Sequence, residues 1–198
     1  MVGVRWLLIS SIHNVTSRSA GDTSDPVLSV TEHAVLGILC EGPRHGFAIS
    51  KELEGGSEVG SVFTVPRSLV YRALDRLVES GHARQVTTEK GSGPKRAIQK
   101  TTAKGRRELR RWLDEPVGHI RDMRIEFLLK LTLLRRANSS PLALIRTQRA
   151  ALAPTFDALH DPAFDPRDHV EQWRRANAAA AADYLDTLEG VYIDYIEA

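Results

Sequence analysis

Between Thr64 and Arg111 the chain changes its hydrophobic period twice, and few folds accommodate the result. Residues 67–79 place Val70, Leu74, Leu77 and Val78 at helical spacing, which leaves Arg67, Ser68, Tyr71, Arg72 and Asp75 on the opposite side. Gly81 ends that helix. Ala83–Thr88 and Lys95–Lys100 then have strand propensity, with the turn chemistry of Gly91-Ser-Gly93-Pro94 between them. The hairpin so defined carries Lys90, Lys95 and Arg96 near its tip. Thr101 or Thr102 caps a further helix to about Glu115, with Leu109, Trp112 and Leu113 inward and Arg106, Arg107, Arg110 and Arg111 outward. Pro116 closes the segment.

Two helices precede this block. Ser29-Val-Thr-Glu32 is a capping box, and the helix it opens carries Val35, Leu36, Ile38 and Leu39 before stopping at Gly42-Pro43. Arg44-His45-Gly46 reads as a tight corner. A short second helix follows, with Phe47, Ile49 and Leu53 on one side and Gly55-Gly56-Ser57 at its end. Residues 57 to 63 are expected as a loop or minimal strand, and Thr64 or Ser68 as the cap of the third helix. Three helices, a two-stranded wing and a fourth helix are the parts of a winged helix-turn-helix, spanning residues 28–116. In such a fold the Arg, hydroxyl and Tyr at the start of the third helix reach phosphates and base edges in a major groove. The wing tip suits a minor groove or a phosphate run.

Charge agrees with this once it is taken by region. Residues 67–111 hold thirteen Lys or Arg against four Asp or Glu, a net +9, while residues 116–198 hold ten against twelve. The chain total of +2 hides this division. A localised basic block attracts the nucleic-acid backbone and releases its counterions. Charge alone would equally describe a solvated helix surface.

At 198 residues and 42% hydrophobic the chain can bury one substantial core or two small ones. Its one cysteine, Cys40, lies in an apolar run and reads as a buried structural thiol in a reducing, cytoplasmic compartment. No apolar stretch approaches the roughly 20 residues that span a bilayer. Residues 1–12 superficially resemble a signal peptide, but the apolar run is short and its cleavage site unclear. Residues 1–27 are expected as a disordered arm, with a misassigned start codon as the other reading.

Beyond Pro116, residues 117–198 read as a helical dimerisation and effector domain. Residues 121–137 carry Ile125, Leu128, Leu129, Leu131, Leu133 and Leu134, apolar enough to be covered on more than one side. Ser139-Ser140-Pro141 opens the next helix, with a stripe of Leu144, Ile145, Leu152, Phe156 and Leu159. Asp165-Pro166 caps the last, long helix. Its seam of Val170, Trp173, Ala176, Ala180, Tyr184, Leu188 and Val191, flanked by Leu185 and Tyr192, must be covered by another helix. A second subunit is the favoured cover, because a two-fold dimer matches a palindromic site.

The residues also carry a family likeness. Leu28–Leu39, Glu41-Gly-Pro-Arg-His-Gly-Phe47, Ser68-Leu-Val-Tyr-Arg-Ala-Leu74 with Leu77 and Gly81, and Thr102-Ala-Lys-Gly105 leading into Trp112-Leu113 resemble PadR-like transcriptional regulators. The segment Arg124–Leu131 extends the likeness more loosely. The resemblance implies a dimeric repressor whose third helix and wing bind an inverted-repeat operator in double-stranded DNA. It also implies that an aromatic small molecule can act as effector, with Trp112 and Trp173 as stacking residues. The simpler reading of those two indoles is that both anchor cores. Gln99 departs from the aromatic residue often found at its place in the family.

Enzyme chemistry has little to stand on. The chain lacks the common phosphate-binding glycine loops, a nucleophile elbow and a helical His-Glu-x-x-His motif, so neither a catalytic residue nor a cofactor is expected. The one metal-like cluster, within residues 160–169, reads more simply as Asp-Pro turn and cap chemistry. A metal-responsive sensor and a winged helix used only for protein contacts stand as the alternative functions.

Overall fold

The reciprocal cap forms as expected: the Glu32 amide donates to Ser29 Oγ at 3.3 Å and the Ser29 amide to Glu32 Oε2 at 2.6 Å. It opens α1 (Val30–Glu41), whose Val35, Leu36, Ile38 and Leu39 are buried. The computed structural model describes residues 27–89, 96–160, 165 and 167–197. The arm up to residue 26, the wing turn with Lys90 and Lys95, and most of the His160–His169 cluster's loop lie outside the described residues.

Four differences from expectation occur before residue 103. Arg44-His45 is not a corner but a short strand, β1 (Arg44–His45), which pairs antiparallel with the second wing strand through Arg44↔Gln99 and His45↔Ile98. Two residues have no alternation to read, and they adopt strand geometry because a distant strand offers them its edge. The sheet therefore has three strands, ordered β1-β3-β2, with β2 (Ala83–Glu89) and β3 (Arg96–Thr101) forming the expected hairpin. A register shift between Gln85 and Thr87 leaves Val86 over as a bulge.

After α2 (Gly46–Glu52), the expected loop contains a one-turn helix, α3 (Glu58–Val62). Ser57 makes it: its hydroxyl accepts from the Gly60 amide at 2.9 Å. The third difference concerns Thr64, which donates to the Gly60 carbonyl at 2.7 Å and caps nothing. Helix α4 (Arg67–Glu79) starts at Pro66 without a side-chain cap, so Ser68 does not cap it either. Its buried face is Val70, Ala73, Leu74 and Leu77, whereas Val78 is 36% exposed. Helix α5 (Ala103–Asp114) is capped by Thr102, whose hydroxyl accepts from the Gly105 amide at 3.1 Å.

The remaining chain is helical. A single turn, α6 (Ile120–Asp122), passes through a wide π-turn at Met123–Phe127 into α7 (Leu128–Arg136). Helix α7 serves two cores. Leu129 and Leu133 join the core built by α1, α2, α4 and α5, while Leu131, with Phe127 of the π-turn, joins a second one with Ile145, Leu152 and Leu185. Ion pairs from Arg136 to Glu41 at 2.5 Å and to Glu52 at 3.1 Å, and from Arg135 to Glu58, fasten the same helix to α1, α2 and α3. Buried Gln148 of α8 (Leu142–Asp157) clamps Val117 from both sides, accepting from its amide at 2.7 Å and donating to its carbonyl at 2.9 Å.

Asp168, not Asp165, caps α9 (His169–Glu197): its Oδ1 accepts from the amides of Val170 and Glu171 at 3.0 and 3.1 Å. Asp165 instead accepts from the Arg167 amide in the preceding turn. Helix α9 meets its own chain through Ala178, Ala181 and Leu185. Most of the expected seam points the other way, with Val170, Trp173, Tyr184 and Val191 exposed. Among the described residues no helix is long and apolar enough to cross a membrane.

Candidate nucleic-acid interface

Helix α4 presents its polar side to solvent. Arg67, Ser68, Tyr71, Arg72 and Asp75 are all exposed, as their spacing predicts. The uncapped start at Pro66 leaves the positive end of the helix dipole facing outward beside Arg67 and Ser68. The helix itself is held firmly. Val70 and Leu77 are fully buried, the Val65 amide donates to the Leu53 carbonyl at 3.0 Å, and Arg76 pairs with buried Glu32 at 3.0 Å. A rigid scaffold under an exposed polar face is what a reading helix requires.

Tyr71 owes its place to a glycine. A Cβ on Gly46 would lie 2.7 Å from Tyr71 Cε1, so the ring rests against bare backbone at the start of α2. Beside it opens a cleft of about 420 Å³ lined by Phe47, Tyr71, Asp75, Arg96 and Gln99. The Gln99 side chain is buried in its wall, with an Oε1 that has no hydrogen-bond partner among the described residues.

The cations of this region divide into two sets. Arg76 and Arg111 are tied to carboxylates, Arg111 to Glu108 at 2.7 Å and Glu115 at 2.5 Å. Arg67, Arg72, Arg84, Arg96, Lys100, Arg106, Arg107 and Arg110 have no carboxylate partner among the described residues. Their charge is free to meet an external anion. Arg96, at the start of β3, brings the wing into this set; Lys90 and Lys95 lie outside the described residues.

The two tryptophans part company. Trp112 is buried and stacked on His33, with ring centroids 4.4 Å apart and planes 7° from parallel. Its Nε1 donates to Glu126 Oε1 at 3.0 Å, and the Nζ of buried Lys130 sits 4.7 Å from the ring centroid. Trp173 is 70% exposed on α9. Trp112 therefore has the anchoring role and Trp173 lacks it within one chain.

Burial pushes the His33 ring below its ordinary pKa, against the pull of Glu108, whose Oε1 lies 3.2 Å from Nε2. Glu108 is itself raised by burial but lowered further by Arg111 and His33, so its carboxyl ends below the usual range. A histidine with a depressed folded value binds its proton more readily when unfolded. Stability should thus fall as pH drops below about 6.5. Glu108 acts in a separate window below about 4.5. Thermal midpoints between pH 7.5 and 5.5 should show the His33 portion, and His33→Phe, which keeps the stack, should flatten it. Parallel curves for parent and variant would remove His33 as the cause.

The fold and the exposed basic helix define a winged helix-turn-helix protein with a helical C-terminal part. Residues 35–111 match the model of the transcriptional regulator PadR-like family. It is 27% identical over 126 residues to the probable transcriptional regulator Rv1176c of Mycobacterium tuberculosis, covering 61% of this chain and 66% of that protein. The match thus spans just under two thirds of that relative's length. Among solved structures, Bacillus subtilis PadR in complex with operator DNA is 22% identical, with a TM-score of 0.44 over 85% of this chain and 99% of that one. The PadR-like transcriptional regulator BC1756 from Bacillus cereus is 18% identical, with a TM-score of 0.37 over 84% and 96%.

Proposed function

We propose that this chain is a sequence-specific, dimeric DNA-binding repressor that recognises an inverted-repeat operator and is released by a small aromatic molecule. The observation that carries the DNA-binding part is the N-terminal half of α4. There Arg67, Ser68, Tyr71 and Arg72 stand exposed on a buried scaffold, beside a wing whose Arg96 has no carboxylate partner among the described residues. Arg72 and Tyr71 are the base-reading side chains in this proposal; Arg67, Lys90, Lys95 and Arg96 hold phosphates. Dimerisation is supported by α9: Val170, Trp173, Tyr184 and Val191 recur at spacings that keep one side of a helix and are exposed in the single chain.

The test is fluorescence anisotropy against a labelled duplex from the gene's own upstream region, with a scrambled duplex as competitor, over a salt series. Preferential binding with a steep salt slope is expected. Arg72→Ala should weaken the specific duplex by about 1–3 kcal/mol while leaving the scrambled one nearly unchanged. Neutralising Lys95 and Arg96 should weaken both and flatten the slope by about 0.9 per lost phosphate contact. Equal, weak binding to both duplexes by the parent would favour a winged helix kept for protein contacts. The same assay screens aromatic acids for release.

A further inference from the structure

Helical spacing groups Phe47 with Ile49 and Leu53, yet those two are fully buried and Phe47 is only half-buried, at the mouth of the cleft beside Tyr71. Its ring is where three elements meet. Lys51 Nζ of α2 lies 5.7 Å from the ring centroid, the Arg67 guanidinium carbon of α4 4.8 Å, and that of Arg96 on β3 5.2 Å. All three fall within the roughly 6 Å over which a ring quadrupole attracts a cation.

Lys51 is neutralised by Glu54 at 2.8 Å. Arg67 and Arg96 are not paired with any carboxylate among the described residues, although Asp75 shares the cleft. Both guanidinium groups lie about 5 Å from one centroid, which keeps them at most about 10 Å from each other. Two like charges held this close repel, and one ring compensates them weakly at an exposed site. A polyanion compensates them fully. A single DNA strand carries a phosphate every ~3.4 Å of axis, so this span covers neighbouring phosphates of one strand.

We infer that Phe47 is a positioning residue that holds Arg67 of the reading helix and Arg96 of the wing in register on one run of phosphates. Helix and wing then grip the backbone as a unit. The inference rests on the DNA-binding reading above, and it adds a sequence-independent role for a side chain that carries no charge. Phe47 acts through the two arginines and touches no base.

The test uses the full chain and a labelled 30-base-pair duplex of mixed sequence across a salt series. Phe47→Leu keeps the apolar bulk and removes the ring face; Phe47→Trp keeps the face. Phe47→Leu should weaken binding roughly five- to tenfold and flatten the salt slope by about 1 to 2, with an unchanged thermal midpoint. Phe47→Trp should bind within about twofold of the parent. Arg67→Ala and Arg96→Ala truncate exposed side chains, and their combined loss should fall short of the product of the single losses. That coupling is readable even if Phe47→Leu folds poorly. A parent that binds no duplex at low salt would sink the DNA-binding reading itself. A binding parent with Phe47→Leu at full affinity and slope, or with multiplicative arginine effects, would overturn this inference alone.

Discussion

Lys130→Ala should lower the free energy of unfolding by about 2–4 kcal/mol, from losing a buried stem and one half of an ion pair whose Glu126 is partly exposed. Lys130 is 1% exposed, yet its ammonium donates to the Glu115 carbonyl at 2.6 Å and pairs with Glu126 Oε1 at 3.0 Å. The same carboxylate oxygen receives the Trp112 indole N–H. One cation therefore holds the end of α5, the π-turn and the Trp112 ring together. Truncation removes the charge and leaves Glu126 with an indole alone. Lys130→Met keeps the stem and should recover part of the loss through packing. Urea midpoints at constant slope are the measurement. A loss below about 0.5 kcal/mol, the level of an ordinary surface substitution, would mean that the ammonium reaches water.

Gly105→Ala should cost about 2–3 kcal/mol, although alanine favours a helix interior by ~1 kcal/mol over glycine. A Cβ there would stand 2.2 Å from the His82 carbonyl oxygen, 2.7 Å from Thr101 Oγ1 and 3.0 Å from Leu36 Cδ1. The His82 carbonyl cannot retreat freely, because it accepts from the Thr102 amide at 2.9 Å and from the Thr102 hydroxyl at 3.1 Å. A methyl group must push the first turn of α5 away from the base of the wing. Thermal or urea unfolding reads the loss, and a variant as stable as the parent would show that α5 can shift without cost.

Much of this was legible in the chain. Ser29 and Glu32 are a reciprocal cap in sequence and in space, and the apolar spacing of residues 67–79 set the exposed side of α4. The turn of hydrophobic period at Gly81 marked the hairpin. What escaped depended on partners far along the chain. β1 exists because β3 lies beside it, and α3 because Ser57 caps a run whose Gly and β-branched residues favour other conformations. Leu129 and Leu133 looked like generic helix core, and only the fold assigns them to the N-terminal layer. At the candidate interface, the exposure of Arg67 and Arg96 follows from the sequence pattern. The place of Phe47 does not, because helical spacing cannot separate an apolar ring in a core from one set between two guanidinium groups.

The double allegiance of α7 bears on how this architecture can be reused. A graft that lifted out residues 28–116 as a cassette would strip the helix that plugs its underside, baring the face of α1 at Gly37 on which Leu133 now rests and removing Leu129 and Leu133 from the first core. It would also take Arg135 and Arg136 away from Glu58, Glu41 and Glu52, leaving Arg44 as the partner of the last two. A portable version of the N-terminal unit has to run on through Arg136. Swapping C-terminal halves between such chains means exchanging the helix that closes the first core along with everything after it.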